Sequence, residues 1–406
     1  MKLIQKERCD VSNQNENPST EVIKPEEEKG ANVSFFKKMG NFFKIIGVAI
    51  YHFFKNPTVL YILRRIGSAL VTLFLVATVV FLLLRIIPKE NYLNIDAMNK
   101  MSSEAAKEVY RQTIYKKFGF DKPLIVQLAY FWRDIIPVIP HRYCLEYKFV
   151  DNTFSEMICK PGESKVFWMY LGQSQILEKN KTIWAILGSK MPISFGISII
   201  STLITYIIGY PLGVMMAKNK GKLVDKLGNG YIILSLALPS LVFYCIIWLL
   251  FMKMGLGATF SPSEKNYAVL IGPIFAMVFL SVPGQAMWVR RFMVDEGDAD
   301  YVKFARSKGL SENRIMFTHV LRNAAVPLVR NFPAAFVGSI IGSYYAESVW
   351  SIPGTGRLLI TAMNAQKPDN ELVQGLTIVY AAISMIAFLL GDIVTVFADP
   401  RIKLTK

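Results

Sequence analysis

The sequence predicts an all-α polytopic membrane protein with six transmembrane helices, and three observations carry that prediction. Hydrophobic residues make up 52% of the 406 and charged residues 19%, where soluble domains carry about a quarter charged; the mean hydropathy is +0.34. Apolar runs recur at the length that crosses the hydrocarbon, about 20 residues at ~1.5 Å rise each. Lysines and arginines gather in alternate connections, the asymmetry that orients a membrane protein. The formal net charge of +16 therefore reads as orientation and contact with anionic headgroups, and no nucleic-acid partner is expected.

Residues 1–33 are polar and free of aromatics, as in "NQNENPSTE" and "KPEEEKG", and predict a disordered tail. In 34–60, "SFFKKMGNFFKIIGVAIYHFFKN" alternates apolar residues and lysines at helical spacing without reaching spanning length. A helix lying on the cytoplasmic leaflet and one packed on the bundle both fit. The transmembrane domain is assigned to 61–406. Its spans are expected at Ile66–Leu84, Met191–Ala217, Tyr231–Phe251, Tyr267–Val289, Pro327–Tyr345 and Leu372–Phe397.

The second-to-third connection carries Lys218, Lys220, Lys222 and Lys226, and the fourth-to-fifth is richer still in Lys and Arg. The third-to-fourth loop holds only Lys253 and Lys265, and the fifth-to-sixth only Arg357 and Lys367. Both termini and the 291–326 connection are thus expected in the cytoplasm of a multi-pass cell-membrane protein. The long 88–190 loop lies outside, since long loops translocate largely regardless of charge.

Polar groups near the spans need separate reasons. Asp392 and Arg330 are read as interface anchors, and Glu347, beside Tyr344 and Tyr345, as a gate or an interhelical pairing residue, with structural pairing preferred. Prolines 192, 211, 239, 273, 327 and 333 can break helices that line a cavity, although Pro192 and Pro327 are read as ordinary helix starts. Cys9, Cys144, Cys159 and Cys245 have no CxxC spacing, so neither a zinc site nor a thioredoxin-like motif is indicated. Cys144 and Cys159 share the long loop, where a disulfide and two free thiols both stand open.

Enzyme chemistry is not expected. His52, His141 and His319 lie in unrelated contexts, and the chain has no HExxH, GxSxG or GxxxxGK[ST] pattern. No cofactor is called for. Uphill transport would draw on an ion gradient or on a separate ATPase, and the spans lack the central acid and base network of a gradient-driven carrier. A solitary membrane scaffold is the remaining alternative.

The informative stretch is "DYVKFARSKGLSENRIMFTHVLRN", Asp300–Asn323. Tyr301, Val302, Phe304 and Ala305 give a short helix one apolar, aromatic side, with Lys303, Arg306 and Lys308 around the rest. Gly309 fits the left-handed position after a helix end, Ser311 can cap a second helix, and Glu312 falls in its first turn. Such a knob suits docking into a groove of another protein; a solvated loop without a partner is equally compatible with these residues.

The segment resembles the coupling region of ABC importer permeases, whose Glu-Ala-Ala-x-x-x-Gly pattern is followed by Ile-x-Leu-Pro. Ala305, Gly309 and Leu321 match it and His319 takes the isoleucine position. Lys303, Phe304 and Arg322 replace the glutamate, first alanine and proline, as in the dipeptide and oligopeptide branch. "YILRRIGSALVTLFLVATVVFLLLRIIP", "KKFGFDKPLIVQLAYF", "KMPIS", "ESVWSIPGTGRLL", "VQG" and "DPRI" are similar to that branch in the same order, over most of 61–402. The resemblance implies a type I importer permease, like the first membrane subunit of oligopeptide permeases. It further implies a second homologous permease, two cytoplasmic ATPase subunits that hydrolyse the ATP, an extracytoplasmic peptide-binding lipoprotein, and peptide as substrate. Residues Tyr301, Phe304, Ala305, Lys308, Gly309, His319 and Leu321 would then receive the ATPase motion. The 133–168 stretch, which holds both loop cysteines, and the first sixty residues fall outside the likeness; contact with the lipoprotein or partner permease and a tolerated surface elaboration both fit the former.

Overall fold

The longest helix turns several large apolar side chains outward and a row of small or hydroxylated ones inward, an arrangement expected where lipid is the solvent. In this helix, α5 (Ile183–Lys218), Ser194, Ser198, Ser201, Thr202, Thr205, Gly209 and Gly213 are buried at helical spacing, while Leu203, Ile207 and Ile208 are exposed. A computed structural model describes residues 57–398 except 94, 102, 150–156, 180, 258, 262, 264–265 and 364–367. The expected tail, all but the last residues of the expected amphipathic segment, and Cys9 lie outside the described residues. The chain divides into Met1–Leu60 and Tyr61–Lys406, and apart from the first turn of the helix that begins at Pro57 the features below belong to the second unit.

Among the described residues four helices are long and apolar enough to cross a bilayer unbroken. They are α1 (Pro57–Ile86), α5, α8 (Ile271–Gly297, entered through a 3-10 turn at Tyr267–Leu270) and α15 (Asn370–Ala398). Two further spans are broken. Helices α6 (Leu223–Ala237) and α7 (Ser240–Lys253) meet at 100°. The run Glu312–Arg330, comprising α10 (Glu312–Arg314), a π-helical stretch Ile315–Val320 and α11 (Leu321–Arg330), meets α12 (Phe332–Gly342) and α13 (Tyr344–Val349) at 46°. Counting each bent pair once gives the expected six.

The breaks correct the expected continuous third and fifth spans. Leu238 is extended (ψ 124°) ahead of Pro239, which cannot donate to the preceding turn. Pro192 and Pro327 lie inside α5 and α11 rather than at helix starts, so both remove a backbone hydrogen bond within a span.

The fold is helical as expected, and the loop between α1 and α5 adds short strands to it. Among the loop's described residues are α2 (Ile95–Asn99), α3 (Glu104–Lys117), α4 (Leu124–Ile135) and four short strands. β1 (His141–Cys144) pairs antiparallel with β4 (Ser164–Phe167), and β2 (Tyr147–Phe149) with β3 (Met157–Cys159). Cys144 and Cys159 form a disulfide with Cα atoms 5.7 Å apart, which closes the question their spacing left open. Trp132 and Phe131 of α4 stack on Phe74 and Phe81 of α1, with ring centroids 4.2 and 4.8 Å apart. Asp369, just before α15, ties the loop down by accepting from Ser174 Oγ at 2.6 Å and from the backbone N–H of Ile176 at 3.0 Å.

Helices α5 and α8 form the most extensive pairing. A Cβ at Gly213 would stand 2.5 Å from Val289 Cβ and 2.6 Å from the Ala286 carbonyl oxygen, and one at Gly209 would stand 2.9 Å from Gln285. The Gly209-x-x-x-Gly213 spacing is therefore what lets the two backbones approach. Helix α6 is fastened to α8 by Arg290, whose Nε and Nη2 donate to the Asp225 carboxylate at 2.5 and 2.9 Å. Arg330 and Asp392 are not separate anchors: Nη2 of Arg330 lies 3.0 Å from Asp392 Oδ1, and Arg65 approaches the other oxygen at 3.3 Å.

Candidate functional site

Helix α9 (Asp300–Ser307) stands between α8 and the Glu312–Arg330 run. Lys308 closes it and Gly309 follows with φ +74°. The Gly309 N–H donates to the Arg306 carbonyl at 2.9 Å and the Leu310 N–H to the Ala305 carbonyl at 3.3 Å, the paired bonds of a Schellman end. Nothing lies within 4 Å of a Cβ built on Gly309, so the requirement for glycine is the left-handed backbone and not space. Across this elbow Arg306 Nε and Nη2 donate to Glu312 at 2.8 and 3.3 Å. Ser311 adopts the N-cap backbone conformation but its hydroxyl makes no capping bond, unlike the expectation for it.

The apolar side of α9 is not one surface. Val302 and Ala305 are buried with Val214, Met293, Ile315 and Leu328, which belong to the ends of α5 and α8 and to the run that follows the elbow. Tyr301 packs against the same cluster and donates its hydroxyl to Glu296 at 2.7 Å. Phe304 alone among these four is exposed, at 60%, with Lys308 Nζ 4.4 Å from its ring centre. Phe317, 53% exposed on the π-helical stretch, is a second projecting aromatic. His319 and Leu321 are half-buried, and Lys303 pairs locally with Asp300 at 2.8 Å. The anchored residues key the helix to three spans; the projecting one is left for another surface.

A cavity of about 390 Å³ lies among α5, α7, α8, α12 and α13. Its polar lining is uncharged, with Thr202, Thr205, Tyr206, Tyr244, Gln285 and Ser339 among the contributors. The Thr202 hydroxyl is buried without a partner among the described residues. Hydroxyl and amide groups of this kind can bond peptide groups without demanding a side-chain charge.

Glu347 is fully buried. Ser194 Oγ of α5 and Ser343 Oγ each donate to its Oε1 at 2.7 Å, and the Arg357 N–H donates to Oε2 at 2.8 Å. Ser194 Oγ in turn accepts from the Thr355 N–H at 2.8 Å. The carboxyl group thus sits in the first turn of α14 (Thr355–Ala362), where the helix end favours an acceptor. A Cβ on Gly354 would overlap it, and one on Gly356 would stand 3.1 Å from Oε2. The glycines of "SIPGTG" make room for Glu347.

Reading the sequence missed the Asp225–Arg290 fastener, the hydroxyl stripe of α5 and the glycine pair. A GxxxG spacing in an apolar run and serines recurring at three- and four-residue intervals were the available signals. Asp225 gave none, since it reads as part of a basic cytoplasmic connection.

Broken spans around an uncharged cavity, with a keyed helix at one end of the bundle, define a polytopic permease. Two family profiles agree: "Binding-protein-dependent transport system inner membrane component" matches residues 209–404, and the N-terminal part of such a membrane component matches 58–160. The chain belongs to this binding-protein-dependent transport family. It is 38% identical over 209 residues to the "Oligopeptide transport system permease protein AmiC" of Streptococcus pneumoniae, a match spanning 51% of this chain and 42% of that relative, less than half its length. It is 26% identical over 344 residues to the "Dipeptide transport system permease protein DppB" of Lactococcus lactis, spanning 85% of this chain and 99% of the relative. An inward-facing structure of the MetNI methionine ABC transporter aligns at 13% identity and a TM-score of 0.41, covering 53% of this chain and 98% of that one, too slight a likeness to bear on function.

Proposed function

We propose that the chain is a membrane-spanning permease subunit of an ATP-driven importer of peptides, oligopeptides in particular, and forms the translocation path with a second homologous permease. Both termini and 291–326 face the cytoplasm, where two ATPase subunits supply the energy and the docked helix around Phe304 moves with them; an extracytoplasmic lipoprotein delivers peptide to the other side. The observation that carries the reading is the division of labour on α9. Val302 and Ala305 are locked among the ends of α5, α8 and the Glu312–Arg330 run while Phe304 projects, so a displacement of the knob is passed to three spans as a rigid-body movement. The uncharged cavity supports a path that wets peptide backbone without holding one sequence tightly. The relatives' names support peptide as cargo. Purification of the tagged chain from native membranes tests the assembly: a second permease and two ATPase polypeptides should accompany it. Recovery of the chain alone, with peptide uptake in liposomes driven by a proton gradient, would contradict it.

A further inference from the structure

A second cavity, about 350 Å³, lies at the other end of the bundle, where α1 runs out at Arg85 and α15 begins. Five of its lining residues are basic (Arg85, Lys116, Lys117, Lys122, Arg133) and two acidic. The acids are already engaged: Glu371 Oε2 accepts from the Gln173 N–H at 2.8 Å, and Asp134 pairs with Arg133 at 2.8 Å. Positive charge is in excess.

Of these bases Arg85 is held but not fully satisfied. The Arg85 guanidinium stacks 4.4 Å from the Phe120 ring centre and donates through Nη2 to the Phe118 carbonyl at 3.0 Å. Its Nη1 is buried without a partner among the described residues, as is the hydroxyl of Tyr170 on the same cavity wall. Lys117 donates to Gln173 Oε1 at 2.9 Å, and burial lowers its pKa against the opposing pull of Glu371. A fixed guanidinium with a free N–H beside an ammonium matches the oxygens of a phosphate.

The surroundings say where such a phosphate comes from. Next to Arg85, Leu83 and Ile86 of α1 are exposed, and so are Ile125 of α4 and Val138 beyond it, at 82% and 69%. Only 11% of the spanning window of α1 is buried. Apolar groups so exposed around a basic, aromatic-lined recess fit the headgroup zone of a leaflet, not water.

We propose that this cavity binds the phosphate of an anionic phospholipid from the leaflet at this end of the spans, with the acyl chains lying along the exposed face of α1. The full-length chain, purified in detergent, would be analysed by native mass spectrometry with phosphatidylglycerol, phosphatidylcholine and inorganic phosphate. Phosphatidylglycerol should be retained in preference to phosphatidylcholine, inorganic phosphate should not displace it, and Arg85→Gln and Lys117→Gln should each weaken its retention about tenfold, the loss of one charge-assisted contact. Equal retention of both lipids, or unchanged retention in both variants, overturns the proposal, and displacement by inorganic phosphate overturns the lipid as ligand. Should either variant fail to fold, a photoreactive phosphatidylglycerol headgroup on the wild-type chain decides instead: cross-links within 116–135 or at 170–172 support the site, and cross-links only elsewhere overturn it.

Discussion

Arg306 and Glu312 meet across Gly309, with Nε–Oε1 at 2.8 Å and Nη2–Oε2 at 3.3 Å. Both side chains are largely exposed, so solvent screens the pair and it trims the elbow rather than making it. The bend is set by the Gly309 backbone and by the burial of Val302 and Ala305. Glu312→Gln is therefore expected to leave peptide uptake within about twofold of wild type, whereas Val302→Asp, which puts an unpaired charge into the cluster, should abolish recovery of monodisperse protein. Size-exclusion profiles and uptake assays on the two variants read this difference.

The α5–α8 contact makes a steric prediction. Gly213→Val inserts atoms where Val289 and Ala286 already stand, at a cost of about 1–3 kcal/mol or more in a packed interior. The thermal midpoint of the purified protein should fall. Gly230→Ala in α6, where nothing lies within 4 Å of the added carbon, is the matched control and should leave it unchanged or slightly raised.

Glu347 organises three donors, from Ser194, Ser343 and the Arg357 backbone. Glu347→Ala removes the acceptor of the Ser194 hydroxyl and the Arg357 N–H, while the Ser343 hydroxyl keeps the Ile340 carbonyl at 2.7 Å, at about 1–3 kcal/mol for each group left buried and not rescued by water. Glu347→Gln keeps the volume and one acceptor and should lose less. Thermal unfolding in the order wild type, Gln, Ala is the expected outcome; indistinguishable midpoints would remove the structural role.

The Cys144–Cys159 bond closes a loop of sequence separation 15, a constraint worth about 3 kcal/mol in the chain-entropy account. Peptide mapping of the unfolded protein with a thiol reagent should find Cys245, the free cysteine among the described residues, modified without reductant, and Cys144 and Cys159 only after reduction. Limited proteolysis of the strand region should accelerate in Cys144→Ser.

Much of this architecture was legible because bilayer thickness sets helix length and leaves an apolar run as its trace: α1, α5, α8 and α15 overlap the expected spans closely. The breaks at Leu238–Pro239 and near Asn331 were not, because a kinked and a straight span share one hydropathy profile, and proline marks a place where bending is allowed without fixing its angle. The elbow was legible down to Gly309, whose left-handed φ only glycine adopts cheaply. Which side of α9 projects was not. Val302 and Phe304 are both apolar, and only the positions of Met293 and Ile315 decide that one is buried and the other exposed. The strands of the long loop were hidden for a related reason: three- and four-residue strands carry too little alternation to register, and a disulfide contributes to holding them.

The central claim, that α9 receives motion from an ATPase, is tested most directly by Phe304→Glu and Gly309→Val in the complete transporter reconstituted in liposomes, with ATP hydrolysis and peptide uptake measured on the same sample. Phe304→Glu puts a charge on the projecting ring, and Gly309→Val strains a backbone at φ +74° that a β-branched residue resists by about 1–2 kcal/mol. Uptake lost while the complex still assembles in the membrane and still hydrolyses ATP is the predicted result. Wild-type uptake in both variants would contradict it.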